Sequence, residues 1–507
     1  MRKILKRILC LSLVILMLVP LLAACRIKQK SGNKTALDLE SLAATMPDDG
    51  VGIRDYGGRT IRFLGWEEGY KNEFEVSEEE MQASESTLKQ AIYMRNEAVK
   101  GRLNIEMQWS YSTGLAGTED VYVSKAKSLV QSQKVDILAS YSRVSAMLML
   151  QGLTQDLKSI STIDLSDPWW SSGILENSSV NNRVYFAAGD ISWTLMGNTI
   201  AFCYNKNLLN KNPGVLDQFE VDSMYELVME GKWTLDSMRK LAQAVSTSRV
   251  YGITGYAVPT DAFYKGCDLD YMRVDPATGN QMISPDQNSG KANSVVSQLT
   301  ELFTSSASAV RLKYDSSLYC ANTHNDSNPI NPEWQSGKSL FVFNPIVSIT
   351  DYKFNELSFD FGVLPMPKYD EEQLEYKTIP DFEYSLVAIP RQISKENAEI
   401  YGAVLTVMAS EGFMRTARAY YSEVLKKQSS NNVEDYNMWD TIKESIDLDG
   451  GRLFDNAINQ KTMIWGSFRG ALQDKLDSMT SGWEASKDTL QAGIDNINAA
   501  MVRIEST

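Results

Sequence analysis

Short apolar runs alternate with stretches whose apolar residues recur every three or four positions, beginning near Arg59. Thr60-Ile61-Arg62-Phe63-Leu64 predicts a strand, ending at Gly65-Trp66-Glu67-Glu68-Gly69-Tyr70. The Glu-rich run Phe74–Glu80 reads as a solvated surface. From Ser84 a helix is predicted, because Leu88, Ile92, Val99 and Leu103 fall near one face, and Gly101 is its expected stop. Ile105–Tyr111 predicts a second strand, residues 121–131 a helix, and Lys134–Ala139 a third strand. This strand, helix, strand, helix, strand order predicts a parallel sheet flanked by helices. Ligands of such sheets sit beyond the carboxyl ends of the strands. Those ends are Gly65–Glu68 and Ser140–Ser142.

The pattern continues with a strand at Arg183–Ala187 and an extended segment at Thr199–Tyr204. Thr234 caps a helix carrying Leu235, Met238, Leu241, Ala242 and Val245 on one face. Asp275-Pro276-Ala277-Thr278-Gly279 predicts a hairpin turn. Leu340–Phe343, Phe361–Leu364 and Ser385–Ile389 predict three more strands, and Ser394 caps a further helix. From about Tyr436 the chain reads as mostly helical.

The first twenty-five residues are different. Arg2, Lys3, Lys6 and Arg7 precede an almost wholly apolar stretch, Ile8 to Pro20, and then Leu22-Ala23-Ala24-Cys25. Charged, apolar and small residues in that order form a secretory signal. The last four residues resemble a bacterial lipobox, which implies cleavage before Cys25 and a lipid on its sulfur. An ordinary signal peptide or an uncleaved anchor is the alternative, but the apolar run is short for a bilayer span. Residues 26–58 are polar, without apolar period, and read as a tether. On this reading residues 1–24 leave, and 25–58 hold the folded body near a membrane face.

Composition narrows the function. The chain of 507 residues is 43% hydrophobic and 22% charged, which suits two globular lobes and argues against disorder. Its net charge is −14, and removing four basic signal residues takes it to about −18, so nucleic acid is not an expected partner. The five cysteines show no C-x-x-C spacing. Cys203, Cys267 and Cys320 read as buried thiols, with a Cys267–Cys320 bridge as the alternative. His324, the one histidine, falls in a polar loop, which excludes most histidine-based metal and triad chemistry. Asp268, Asp270 and Asp275 lack the spacing of a calcium loop. No cofactor or metal is expected.

Several separated segments share the order found in extracellular solute-binding proteins. Phe202-Cys203-Tyr204-Asn205-Lys206-Asn207-Leu208-Leu209 resembles their "YNKDL" segment, and Gly231-Lys232-Trp233-Thr234-Leu235-Asp236 the helix start after it. Glu333–Leu340, Gly362–Pro367 and Ser394–Ala398 resemble three later elements, and Trp465–Ile504 the closing helices. The chain thus resembles the family 1 sugar-binding lipoproteins of ABC transporters, related to maltose-binding protein. The resemblance implies an α/β, two-lobed periplasmic-binding-protein-like fold of type II. Each lobe would be a mostly parallel sheet flanked by helices. The N-terminal lobe would comprise 59–193 plus 364–411, and the C-terminal lobe 194–363 plus 412–507. Hinge crossings would fall near Trp193–Phe202, Val363–Pro367 and Ala409–Phe413.

The resemblance also implies a monomer anchored by lipid at the extracytoplasmic face, with a carbohydrate ligand of oligosaccharide size and permease subunits as partners. Sugars need aromatic faces and planar polar groups. The candidate ligand contacts are therefore Trp66, Glu67, Glu68, Tyr141, Asp190, Trp193, Asn344, Glu383, Tyr384, Trp465 and Arg469. At Asn344-Pro345-Ile346 the family's usual Gly-Pro-Trp is missing, and with it one stacking residue. Each tryptophan reads equally as core packing, and Trp169, Trp170 and Trp233 read mainly so. Two rival functions stay open. One is a secreted glycan-cleaving enzyme using Glu67 with Glu68, or Asp190 with Glu383, as a carboxylate pair. The other is a subunit presenting ligand to a membrane sensor. The expectation is a binder without catalysis.

Overall fold

The computed structural model describes residues 48–67, 73–256, 260–304, 312–315, 332–347, 357–427, 433–455 and 463–505. Cys25, Glu68, Cys320 and His324 lie outside these residues, as does the side chain of Trp465. Among the described residues no helix is long and apolar enough to cross a membrane.

The first lobe is built on a four-stranded sheet. Its elements are β1 (Arg59–Trp66), α1 (Thr87–Leu103), β2 (Ile105–Ser112), α2 (Glu119–Gln131), β3 (Ile137–Tyr141) and α3 (Ser142–Leu150). The sheet order is β11-β3-β1-β2, where β11 (Ser385–Ala388) returns late in the chain. β1 runs parallel to β2 and β3, and β11 runs antiparallel to β3. The helix predicted from Ser84 starts after Ser86, whose hydroxyl accepts from Lys89 N–H, and runs through Gly101 to a left-handed Asn104. Asn tolerates that conformation, so the stop falls there. The predicted strand at Arg183–Ala187 is not formed; its two ends make isolated bridges, Arg183 to Val180 and Ala187 to Val387. Phe74–Glu80 is a solvated surface only in part, because Phe74 and Val76 are buried, Phe74 stacked on Trp109, before a short capped helix, Glu78–Gln82.

The second lobe holds α4 (Trp193–Gly197), β4 (Ile200–Asn205), α5 (Leu235–Val245), β5 (Tyr251–Tyr256) and α6 (Asp261–Gly266). A hairpin of β6 (Met272–Val274) and β7 (Gln281–Ile283) follows, then β8 (Leu312–Asp315), β9 (Ser339–Pro345) and β10 (Phe361–Leu364). The five-stranded sheet has the order β10-β4-β9-β5-β8. β5 is parallel to β8 and β9, while β4 is antiparallel to β9 and β10. Thr234 caps α5 as its pattern predicts, with a capping box to Ser237. The hairpin turn is also as predicted: the Asp275 carboxylate accepts from Ala277 N–H and Thr278 hydroxyl, and Gly279 takes φ +71°. Phe202 anchors this core edge-on to Trp233, Phe263 and Phe341. Cys203 and Cys267 are buried free thiols, and burial pushes both well above the usual range.

Helices α7 (Lys395–Met414), α8 (Thr416–Lys427), α9 (Val433–Glu444), α10 (Gly450–Leu453), α11 (Met463–Gln473) and α12 (Thr480–Glu505) complete the chain. Among the described residues three segments pass between the sheets. The first is Gly189–Thr199, carrying α4. The second follows β10: Trp233 indole N–H bonds Pro365 O, Leu235 N–H bonds Lys368 O, and Thr378 hydroxyl bonds Ile200 O. That stretch therefore lies along the second lobe, and the return comes at Pro380–Ser385, later than Val363–Pro367. The third is the α7–α8 junction at Arg415. Here a Cβ on Gly412 would lie 2.0 Å from Asp190 O, so only glycine lets these two crossings touch.

Candidate functional site

The carboxyl end of β3 is fixed against the return crossing. Ser142 N–H donates to Tyr384 O at 3.0 Å, and its hydroxyl donates to Phe382 O at 2.5 Å. This places Arg143, in the first turn of α3, at the junction of the lobes. Its guanidinium bonds the Asp455 carboxylate at 3.0 Å and lies 4.9 Å from the Phe382 ring centre. Arg452, from α10, lies over the same ring at 3.8 Å. It also pairs with Asp261 at 3.1 Å and with Asp381 at 3.5 Å. Arg469, from α11, grips Asp261 with two N–H groups.

Three arginines and three aspartates thus form one group with balanced charge, and two of the arginines, Arg143 and Arg452, lie on the Phe382 ring. Asp261 is fully buried at the start of α6. Burial raises its pKa, against the opposing pull of Arg469 and Arg452. Burial pushes Asp455 up to about 6, although Arg143, Arg469 and Arg452 all oppose it. Such a wall presents planar donors and acceptors beside an aromatic surface. It can recognise hydroxyl-rich or charged ligands by paired hydrogen bonds.

A second cluster lies behind the strand ends. Glu73 is buried, and its carboxylate accepts from Ser192 Oγ, from Thr194 Oγ1 at 2.7 Å and from Ser385 Oγ at 2.9 Å. Burial pushes this carboxyl up to about 7, against those hydroxyls and the charge of Arg95. Arg95, also fully buried, donates to Ile191 O at 2.9 Å and Phe74 O at 3.0 Å. Burial lowers its pKa to about 10. Glu73 and Arg95 together hold the first crossing, the return crossing and α1.

The residues singled out from the sequence divide into groups. Trp66 is 1% exposed and tilts against Tyr141, 2% exposed, with ring centres 5.1 Å apart. Both sit in the core. Glu67 takes φ 46°, and its carboxylate accepts from Gly114 and Leu115 N–H, fastening a neighbouring loop. Glu383 contributes its carbonyl to Asn198, and Tyr384 is buried. Asp190 pairs with Lys443 at 2.6 Å, and Trp193 tilts against Tyr420 at 5.2 Å; both line a separate cavity. Asn344 lies opposite Ala201 in the sheet, beside Ile200, whose N–H bonds Ile379 O. It is 3% exposed, and neither amide atom has a hydrogen-bond partner. Arg469 belongs to the wall.

Sequence reading missed Arg143, Asp261, Asp381, Phe382, Arg452, Asp455 and Glu73. Arg143 was within reach, since it follows a strand end already singled out. The others carry no periodic or motif signal; they meet through contacts far apart in the chain.

No protein-family model and no curated protein sequence matches the chain. Solved structures do. An uncharacterized protein from Listeria monocytogenes EGD-e superposes with TM-score 0.50 at 12% identity, covering 86% of this chain and 100% of that one. A family 1 extracellular solute-binding protein from Bifidobacterium longum subsp. infantis gives TM-score 0.49 at 13% identity, covering 88% and 100%. An ABC substrate-binding protein from Listeria monocytogenes, in complex with cycloalternan, gives 0.47 at 13%, covering 88% and 99%. The first of these likenesses shows a shared fold. The two sheets with three passages between them make that fold a two-lobed α/β architecture.

Proposed function

We propose that this chain is an extracytoplasmic solute-binding protein, anchored through a lipid on Cys25. It captures a carbohydrate of oligosaccharide size by lobe closure and delivers it to an ABC importer. The observation that carries the reading is the wall around Phe382. Arg143 and Phe382 adjoin the carboxyl end of β3, while Asp261, Arg452, Asp455 and Arg469 come from the second lobe. A ligand held there touches both lobes only when they approach, so it favours the closed form by its differential affinity. The ordered motifs, the lipobox and the two-lobed fold support the same reading. The unused amide of Asn344 adds a donor and an acceptor near the same junction.

Binding accounts for the site better than catalysis. The carboxylates that would form a hydrolytic pair have structural work: Glu67 fastens a loop and Asp190 is held by Lys443. A panel of neutral oligosaccharides tests the proposal. The expected result is a rise in melting temperature with at least one sugar and no product. Turnover of a sugar, or no stabilisation by any member, overturns it.

A further inference from the structure

Residues 48–58 have the polar composition that reads as tether, yet the structure docks them on the first lobe, along the end of α1. The N–H groups of Arg54, Tyr56 and Gly58 donate to the carbonyls of Arg102, Leu103 and Asn104 at 2.9, 3.0 and 2.8 Å. Carbonyls at the end of a helix have no partner within it, and here the strap supplies one. Val51 is 4% exposed and belongs to one core cluster with Val99, Leu103 and Ala409.

Asp49 is the centre of this docking. Its carboxylate accepts from both outer nitrogens of Arg102, at 2.8 and 2.9 Å, and from the Ser410 hydroxyl at 2.7 Å. Arg102 lies in the last turn of α1, and Ser410 lies near the end of α7. Arg102 also reaches Glu411 at 3.5 Å, and Glu411 holds Arg415 at 2.8 Å. Gly412, next in the chain, abuts Asp190 O on the first crossing. A continuous set of contacts thus leads from the strap to two of the passages between the lobes.

A hinge confines rotation to a few residues between rigid flanks. Asp49 fixes the flank from which the α7–α8 passage departs. A looser flank gives the unliganded chain more arrangements, and a smaller fraction of them can bind.

We propose that residues 48–58 are a positioning strap for the hinge, and that Asp49 and Ser410 are positioning residues for ligand capture. Neither belongs to the Phe382 wall; both act through the α7–α8 junction. The proposal rests on lobe closure as the mode of capture.

Amide hydrogen exchange of the purified chain, compared with Asp49→Asn and Ser410→Ala, tests it without any ligand. Asp49→Asn keeps the shape and loses the charge that holds Arg102. Ser410→Ala removes only the bond to α7, so it decides the matter if Asp49→Asn fails to fold, which a melting curve shows. Exchange across residues 410–415 should quicken about tenfold, with β1 and β3 unchanged. Both variants should bind an oligosaccharide that stabilises the unaltered chain about threefold more weakly, through slower association. Loss of a ligand contact would instead speed dissociation. Unchanged exchange at 410–415, equal quickening throughout the chain, or unchanged affinity overturns the proposal. If no sugar binds the unaltered chain, the carbohydrate reading fails, and the exchange result alone decides the strap.

Discussion

Trp66 donates its indole N–H to the Ser385 hydroxyl at 2.7 Å, joining the last residue of β1 to the first of β11. The β3 strand lies between them in the sheet. Ser385 passes the interaction on, donating to Glu73 at 2.9 Å. Glu73 in turn takes the hydroxyls of Ser192 and Thr194 on the first crossing. One buried chain of hydrogen bonds therefore ties a strand end to two of the passages between the lobes.

Trp66 is thus structural, and Trp66→Phe should test that. An aromatic ring is kept, but one fused ring of the indole and its N–H donor are lost. A buried hydrogen bond of this kind is worth about 1–3 kcal/mol when one partner is removed. Denaturant unfolding should show a loss of that order, with oligosaccharide affinity changed less than twofold. A large loss of affinity at unchanged stability would move Trp66 into the ligand site.

Glu73 gives the fold a pH dependence with a definite sign. Its pKa rises from the ordinary 4.5 to about 7 on folding, so the folded state holds the proton more tightly. The protonated form therefore stabilises the fold fully below about 4.5, and that contribution is lost as pH rises through 7. The slope from this one group is at most about 1.4 kcal/mol per pH unit. Glu73→Gln should flatten the stability profile between pH 5 and 7, measured by urea unfolding at each pH. An unchanged profile would place the proton elsewhere.

Arg143 bridges the lobes to Asp455. Arg143→Met should lower affinity for a stabilising oligosaccharide at least tenfold, about 1.4 kcal/mol. It also leaves the Asp455 carboxylate buried without its closest cation, which costs stability on its own. The double variant Arg143→Met, Asp455→Leu should recover stability and leave affinity low. Recovery of both would make the pair a structural strut only.

Asn344 is buried with an unpaired amide, a cost of about 1–3 kcal/mol in the unliganded chain. Asn344→Leu should raise thermal stability and weaken oligosaccharide binding together. A more stable variant with full affinity would remove Asn344 from the site.

The fold was largely legible because its signals are local. Alternation marks β2 and short apolar runs mark β1, β4, β9 and β10, and Ser86, Thr234 and Ser394 cap helices by chemistry within one turn. Arg183–Ala187 misled because its middle residues are buried without sheet partners and only its two ends make isolated bridges. The site was less legible. Aromatic residues at strand ends serve a core and a sugar equally well, and Trp66 and Tyr141 serve the core. The residues that build the wall, Asp261, Phe382, Arg452 and Asp455, are brought together only by the tertiary fold. No spacing in the chain announces such a meeting.

The central claim is that ligand closes two lobes upon one another. Small-angle X-ray scattering of the purified chain, with and without the oligosaccharide that raises its melting temperature most, tests it directly. The radius of gyration should fall on saturation, and Arg143→Met should need correspondingly more sugar for the same fall. A saturated complex with an unchanged radius of gyration would contradict the account.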